Sequence, residues 1–333
     1  MTAGNEQSLP VVVALGAVDP ALVSGTLDGH CRLVTDPGDA DLSIAAGAIA
    51  RADARIDHAL LCKAPELRVI ARTGVGTDLI DVPAATARGI AVVITPGAGA
   101  AAVAEGTIGM ALHLVKRFGP LTAMVRDGRW AERAGISVGD LDGATLGVIG
   151  FGRIGRRTAA LAAAFGMRVL AYDPVSEPPA GVRCASLGDL AAHSDVITLH
   201  LPLNEQTRHL VDDAFLARVR PGAVLVNCGR GGLVDTDAVW RALTDGRLSG
   251  VGLDVFDPEP PGRHPLYGHP DVVLTPHLMG LSRRATAATF TAAARGVLDV
   301  LRGREPQAVA DPAWRSHSLP EGITHGHSRG AGG

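Results

Sequence analysis

Aromatic side chains are scarce in this chain: six Phe, three Trp and two Tyr make up 3% of its 333 residues. A ligand gripped by ring stacking is therefore not expected, and backbone contacts must carry more of any recognition. Cysteine is rarer still. Cys31, Cys62, Cys184 and Cys228 form no C-x-x-C pair and no metal-ligand spacing, so reduced, packed thiols are expected rather than a disulfide framework, and no metal. No apolar run approaches the roughly 18 residues of a membrane span. The N-terminal MTAGNEQSLP lacks the basic start and apolar core of a signal peptide, which leaves a cytoplasmic location as the expectation. Excess charge is missing as well. A net charge of −3 offers no general attraction to nucleic acid or to an anionic membrane, and neither is expected as a partner.

Glycine, alanine and short apolar runs are plentiful instead. With 47% hydrophobic and 20% charged residues, the composition suits a globular protein rich in buried sheet, and the length allows two domains, each with a core.

The stretch from Thr145 to Asp173 organises the rest. It reads as a buried strand, the glycine corner Gly150-Phe151-Gly152-Arg153-Ile154-Gly155, an Ala-rich helix, and a second strand ending in an acid. Gly150 makes the tight turn, Gly152 lets backbone approach a pyrophosphate, and Gly155 lets helix and sheet pack closely. A helix starting near Arg153 points unpaired N–H groups and its positive dipole end at the phosphates. Asp173, roughly 20 residues on, can accept hydrogen bonds from adenosine ribose hydroxyls, and its charge opposes a 2′-phosphate. NAD is thus expected over NADP.

Before that stretch, Pro10–Leu15, Arg32–Val34, Leu42–Ala46, Leu67–Arg72 and Gly89–Thr95 read as parallel strands of a small doubly wound domain. Arg72-Thr73-Gly74-Val75-Gly76 follows a strand directly, and its glycines either expose N–H groups to an anion or simply turn the chain. Pro96-Gly97 and the Gly/Ala run to Ala102 read as a hinge. A helix is predicted from Val103 to about Phe118, and an irregular segment over Gly119–Gly143, a surface loop or an oligomer contact.

After Thr145 the strand-helix rhythm gives six strands, the last four at Val196–His200, Ala223–Cys228, Gly250–Val255 and Val272–Thr275. A final helix is predicted from about Leu281 to Leu301. The tail from Asp311, with His317, His325 and His327, reads as disordered and without a compact ligand set.

The unusual polar residues of the second half fall at carboxyl ends of strands, where open α/β sheets bind ligands. His200-Leu201-Pro202 ends one strand, Asn227-Cys228-Gly229-Arg230-Gly231 another, Asp254-Val255-Phe256-Asp257-Pro258-Glu259-Pro260 a third, and Thr275-Pro276-His277 a fourth. Together with the turn at Gly74, the segments from Pro96 to Glu105 and the glycine corner, these motifs in order resemble the D-isomer-specific 2-hydroxyacid dehydrogenase family from about Leu42 to Ser282. The resemblance lies nearest 3-phosphoglycerate dehydrogenases. It implies two doubly wound α/β domains, a Rossmann dinucleotide-binding domain over 100–280 inserted into a flavodoxin-like substrate domain formed by 1–99 and 281–311, with a disordered tail over 312–333.

It also implies a hydride transfer between NAD and a small 2-hydroxy or 2-keto acid, with Arg230, Glu259 and His277 as the catalytic set. The chemistry is consistent. Reducing a keto acid creates an alkoxide that needs a proton, and histidine can supply one near neutral pH. A carboxylate beside the ring orients it and favours its protonated form. Arg230 presents a planar donor fork to the substrate carboxylate and keto oxygen. The family's cofactor contacts map onto Arg153, Ile154, His200, Pro202, Thr207, Cys228, Gly229, Asp254 and Gly280, besides the glycine corner and Asp173. Backbone N–H groups of Val75 and Gly76 are expected at the substrate carboxylate, in a cleft between the domains.

Arg51, Arg72 and Arg133 occupy positions resembling the basic residues that meet the substrate phosphate in phosphoglycerate dehydrogenases. They are equally readable as solvated arginines. Leu79 and Gly99 stand where the family often has Asn, which leaves the identity of the hydroxy acid open. A C-terminal regulatory domain is not expected, and a homodimer is, built on the helix after the hinge and the loop that follows. The rival readings are an NADH-sensing co-repressor-like binding protein and oxidation of a small oxyanion such as phosphite.

Overall fold

The structure, a computed structural model, describes residues 9–51, 53–175 and 182–317. The chain divides into two compact units, residues 1–98 with 287–333, and residues 99–286.

The first unit is a five-stranded parallel sheet of β1 (Val11–Leu15), β2 (Arg32–Val34), β3 (Ala45–Ala50), β4 (Val69–Arg72) and β5 (Ala91–Val93). Its order, β2-β1-β3-β4-β5, is that of flavodoxin-like sheets. Both faces are covered, as a parallel sheet requires. Phe290, Ala293, Ala294, Val297 and Leu298 of the helix Arg283–Leu301 pack on one face against Val12, Val69 and Val93. Gly47 admits that helix: a Cβ there would lie 3.0 Å from Val297 Cγ1.

The strand read at Leu42–Ala46 is displaced. Asp39–Ser43 is a short helix, and the strand begins at Ala45. Asp39 and Asp41 sit in the first helical turn, where carboxylates complement the positive end of the dipole, and Asp41 Oδ2 accepts from Gly38 N at 3.0 Å. The tail differs too. Pro312–His317 forms a 3-10 turn, with Asp311 Oδ2 accepting from Thr86 Oγ1 at 2.9 Å and Trp314 packed on the core. His325 and His327 lie outside the described residues.

The second unit holds β6 (Thr145–Ile149), β7 (Arg168–Tyr172), β8 (Arg183–Cys184), β9 (Val196–Leu199), β10 (Ala223–Asn227), β11 (Leu248–Leu253) and β12 (Val272–Leu274). All are parallel, in the order β12-β11-β10-β9-β6-β7-β8, so the described sheet has seven strands, not the six expected. The strand missed in the sequence is β8, two exposed residues without an apolar run to reveal it. Reading from β6, the order is that of a Rossmann sheet with one strand added beyond β11.

The helix Ala100–Val115 packs its Ile108, Met110, Ala111 and Leu114 beside Val148, Val224 and Val226. It stops short of Phe118 because Arg117 is left-handed, with φ of 54°, and a new helix, Phe118–Arg126, begins there. The segment read as irregular is therefore largely ordered, the 3-10 turn Trp130–Gly135 included. Pro120 stands in the first turn of the helix Phe118–Arg126, where proline is tolerated.

Candidate active site

Because every strand of the second unit points the same way, its ligand-competent residues share one edge. The glycine corner follows β6. A Cβ on Gly155 would sit 2.0 Å from Gly150 O, so only glycine lets the helix Arg153–Ala164 start there. Gly150 has φ of 94° and packs on the His200–Leu201 backbone, where a Cβ would lie 2.7 Å from His200 C. Gly152 is different: nothing lies within 4 Å of its added Cβ, and as N-cap it leaves the first N–H groups of a 12-residue helix without a side-chain partner. Open space above exposed N–H donors fits a dinucleotide pyrophosphate.

Asp173 binds the corner directly. Its Oδ2 accepts from Phe151 N at 2.7 Å and its Oδ1 from Val175 N at 2.9 Å. Behind the corner, Arg156 Nε donates to Phe151 O at 2.9 Å. Thr207 ties the loop after β9, donating to Pro202 O and accepting from Asn204 N, both at 2.8 Å. Cys228 is buried near Met110, and burial pushes its thiol up to about 12, which leaves it inert.

His200 is unusual. Among the described residues neither of its buried ring nitrogens has a hydrogen-bond partner. Burial lowers its pKa from the ordinary 6.5 to about 4. The unfolded chain therefore binds a proton below 6.5 that the folded one refuses until about 4, so this residue's contribution is present above pH 6.5 and lost as pH falls through 4. His200→Asn is expected to flatten the stability-versus-pH curve between pH 6.5 and 4. Denaturant titrations across that range test it; parallel curves for the two proteins would refute it.

Arg230, Glu259 and His277 leave three neighbouring strands, β10, β11 and β12. The loop carrying Arg230 is closed by the buried Asn227, whose Nδ2 donates to Arg230 O at 2.8 Å and whose Oδ1 accepts from Gly229 N at 3.0 Å. Gly231 abuts the loop that carries Glu259, since a Cβ there would fall 1.9 Å from Phe256 C. Glu259 then bridges. Its Oε1 accepts from Phe256 N at 3.0 Å, and its Oε2 lies 2.8 Å from His277 Nδ1.

His277 itself has φ of 55°, a conformation that costs a non-glycine residue about 1–3 kcal/mol and persists only where the surroundings impose it. Here they do. His277 N donates to Asp254 O at 2.8 Å, while the buried Asp254 carboxylate accepts from Thr275 Oγ1 at 2.6 Å, Leu278 N at 2.9 Å and Met279 N at 3.2 Å. Burial raises the Asp254 carboxyl above its usual range, and those donors pull it partly back. Asn227 and Thr275 went unassigned in the sequence, although the N-x-G-R-G and T-P-H motifs contain them.

In the first unit, Ala50 pairs with Arg72, so Arg51 and Arg72 leave adjacent strands at one edge. Arg72 Nε donates to Gly76 O at 2.8 Å and closes the loop that presents Val75, which is half exposed. The Arg51 guanidinium lies 5.7 Å from the Phe290 ring centre. Arg133 belongs to the second unit, over Trp130 at 4.8 Å. No described helix is long and apolar enough to cross a membrane, and no described group of three His, Cys, Asp or Glu could hold a metal.

A glycine corner on a Rossmann sheet, with a histidine–carboxylate pair and an arginine loop at the same edge, brings dinucleotide-binding features and acid–base side chains together. Residues 108–279 match the family model described as D-isomer specific 2-hydroxyacid dehydrogenase, NAD binding domain, and the chain belongs to that family, with NAD as the cofactor of the matched domain. It is 38% identical over 268 residues to D-3-phosphoglycerate dehydrogenase of Methanocaldococcus jannaschii, across 79% of this chain and 51% of that protein. The D-3-phosphoglycerate dehydrogenase of Mycobacterium tuberculosis is 38% identical over 313 residues, across 91% and 59%. The chain thus spans between about half and three-fifths of the length of these curated relatives. A crystal structure of D-lactate dehydrogenase from Aquifex aeolicus complexed with NAD and lactic acid superposes with a TM-score of 0.77 at 30% identity, covering 88% of this chain and 96% of that one.

Proposed function

We propose that the protein is an NAD-dependent oxidoreductase interconverting a D-2-hydroxy acid and its 2-keto acid, with a substrate that carries a second anionic group. The observation that carries the reading is the 2.8 Å contact between His277 Nδ1 and Glu259 beside the Arg230 loop. With Nδ1 held by a carboxylate, Nε2 is left to exchange a proton with substrate oxygen. In reduction the imidazolium gives its Nε2 proton to the forming alkoxide and is left neutral, and in oxidation the neutral imidazole takes one from the hydroxyl. Arg230 pairs with the substrate carboxylate and polarises the carbonyl. Gly150, Gly152, Arg153, Ile154 and Gly155 hold the pyrophosphate, Asp173 the ribose, and His200, Pro202, Thr207, Cys228, Gly229, Asp254 and Gly280 the remainder of the dinucleotide. Bound, it supplies the hydride acceptor or donor. The first unit takes the substrate, through the Val75 and Gly76 N–H groups. Arg51 and Arg72, side by side at a strand edge, support the second anion.

A homodimer in the cytoplasm completes the reading. Phe118, Val125, Trp130 and Val138 of one chain segment are between 44% and 59% exposed and offer large apolar side chains for a second copy to cover, and all four cysteines are free.

The direct test is NADH oxidation with a panel of 2-keto acids, including hydroxypyruvate, its phosphate, glyoxylate and pyruvate. Turnover is expected, highest where a second anionic group is present. NADH binding without turnover of any member would overturn the proposal. A second expectation concerns Asp173. A like-charge contact costs about 1 to 4 kcal/mol between bulk-water and near-surface dielectrics, so Asp173→Ala should shift the NADH/NADPH preference by on the order of tenfold or more toward NADPH. Because Asp173 also holds Phe151 N, the KM for NADH should rise. An unchanged coenzyme ratio in steady-state kinetics would contradict the assignment.

A further inference from the structure

The helix Ala100–Val115 carries a glycine whose missing side chain is replaced from elsewhere in the chain. A Cβ on Gly106 would lie 2.3 Å from Met279 Sδ, 2.9 Å from its Cγ and 3.1 Å from its Cβ. About two turns earlier, a Cβ on Gly99, the N-cap, would lie 3.1 Å from Gly280 O. Residues 279 and 280 directly follow the turn that carries His277.

Met279 is therefore gripped twice. Its backbone N–H donates to the buried Asp254 carboxylate, and its partly buried side chain packs on the cluster containing Ile108, Met110 and Ala111 of the same helix. An unbranched thioether is suited to filling an irregular gap of this kind. His277, two residues earlier, holds a left-handed backbone that survives only while its surroundings impose it.

We propose that Gly106 and Met279 are positioning residues: the glycine is a socket, the methionine side chain fills it, and the pair sets where the His277 imidazole stands. This rests on the dehydrogenase reading, in which His277 moves the proton. Neither residue offers acid or base chemistry of its own, so their effect is geometric. Misplacing a reacting group by on the order of 1 Å costs about 10²-fold in rate. An added methyl at position 106 forces Met279 to change its side-chain torsions and pull on the 278–279 N–H groups that Asp254 holds. Because the clash meets the flexible part of a side chain rather than backbone, folding should survive it.

Four proteins test this: wild type, Gly106→Ala, Met279→Ala and the double variant, each assayed for kcat, KM, NADH affinity and melting temperature. Gly106→Ala is expected to lower kcat by on the order of 10- to 100-fold, with KM, NADH affinity and melting temperature near wild type. Loss of kcat alone marks a defect confined to the transition state. In the double variant the new methyl occupies space the sulfur has left, and most of the lost kcat should return. Met279→Ala alone should lower kcat severalfold without raising KM, and it decides the matter if Gly106→Ala fails to fold. An active wild type with an indifferent Gly106→Ala, or a loss that the double variant does not recover, overturns the lock. A wild type inactive on every 2-keto acid overturns the dehydrogenase reading, and the lock's role with it.

Discussion

His277→Ala should lower kcat for 2-keto acid reduction by about 10²–10⁴-fold, the usual contribution of a positioned general acid or base, while NADH binding stays near wild type. The separation is expected because His277 lies on the turn after β12, whereas the glycine corner follows β6 and does not depend on the imidazole. Glu259→Gln should fall in the same direction by less. An amide oxygen can still accept from Nδ1, but it cannot offer the charge that steadies an imidazolium. The turn itself should persist in His277→Ala, since Asp254 holds residues 275, 278 and 279 by contacts that do not involve the ring. Relief of the left-handed backbone at position 277 is not expected, because alanine meets the same steric conflict as histidine. Single-turnover kinetics and NADH fluorescence titration separate the chemical step from binding. Full activity in His277→Ala would remove the proposed role; loss of NADH binding would mean that the site was misdivided.

The second large effect is expected at Gly155. Its added Cβ would meet Gly150 O at 2.0 Å, and that oxygen has nowhere to go. Gly150 is pinned on its other side by the His200–Leu201 backbone, and its N–H donates to Tyr172 O at 2.8 Å. The helix must lift or the corner must open. Gly155→Ala should therefore destabilise the protein by about 3 kcal/mol or more, beyond the ordinary range for overpacking, and abolish measurable NADH binding. Gly152→Ala is the matched control. Nothing lies within 4 Å of its Cβ, so its melting temperature should hold while NADH affinity drops, because the methyl enters only the space proposed for the pyrophosphate. A Gly155→Ala protein with wild-type stability would contradict the packing described, and a Gly152→Ala protein with wild-type affinity would contradict the placement of the cofactor.

Much of this was legible in the linear chain, for local reasons. A parallel strand buried on both faces reads as an apolar run, and a phosphate-binding corner needs glycines at set offsets, so β6, its corner and β7 could be placed without coordinates. Motifs at the ends of strands marked Arg230, Glu259 and His277. Signals weakened where an element had little apolar content or where local charge decided it. β8 is two exposed residues. The strand at Ala45 is built from small side chains, and two aspartates turned the residues before it into a helix.

What the sequence determined alone was the succession of apolar strands and the kinds of chemistry available, because both depend on residue type and spacing within one segment. Tertiary structure decided which of those residues act on one another. Asp254 read as a cofactor contact, and only folding shows its carboxylate beneath the histidine turn, 21 to 25 residues away in the chain. Gly106 and Met279 carry no motif at all. Their fit is a matter of volume between segments more than 170 positions apart, and volume complementarity leaves no periodic trace along a chain.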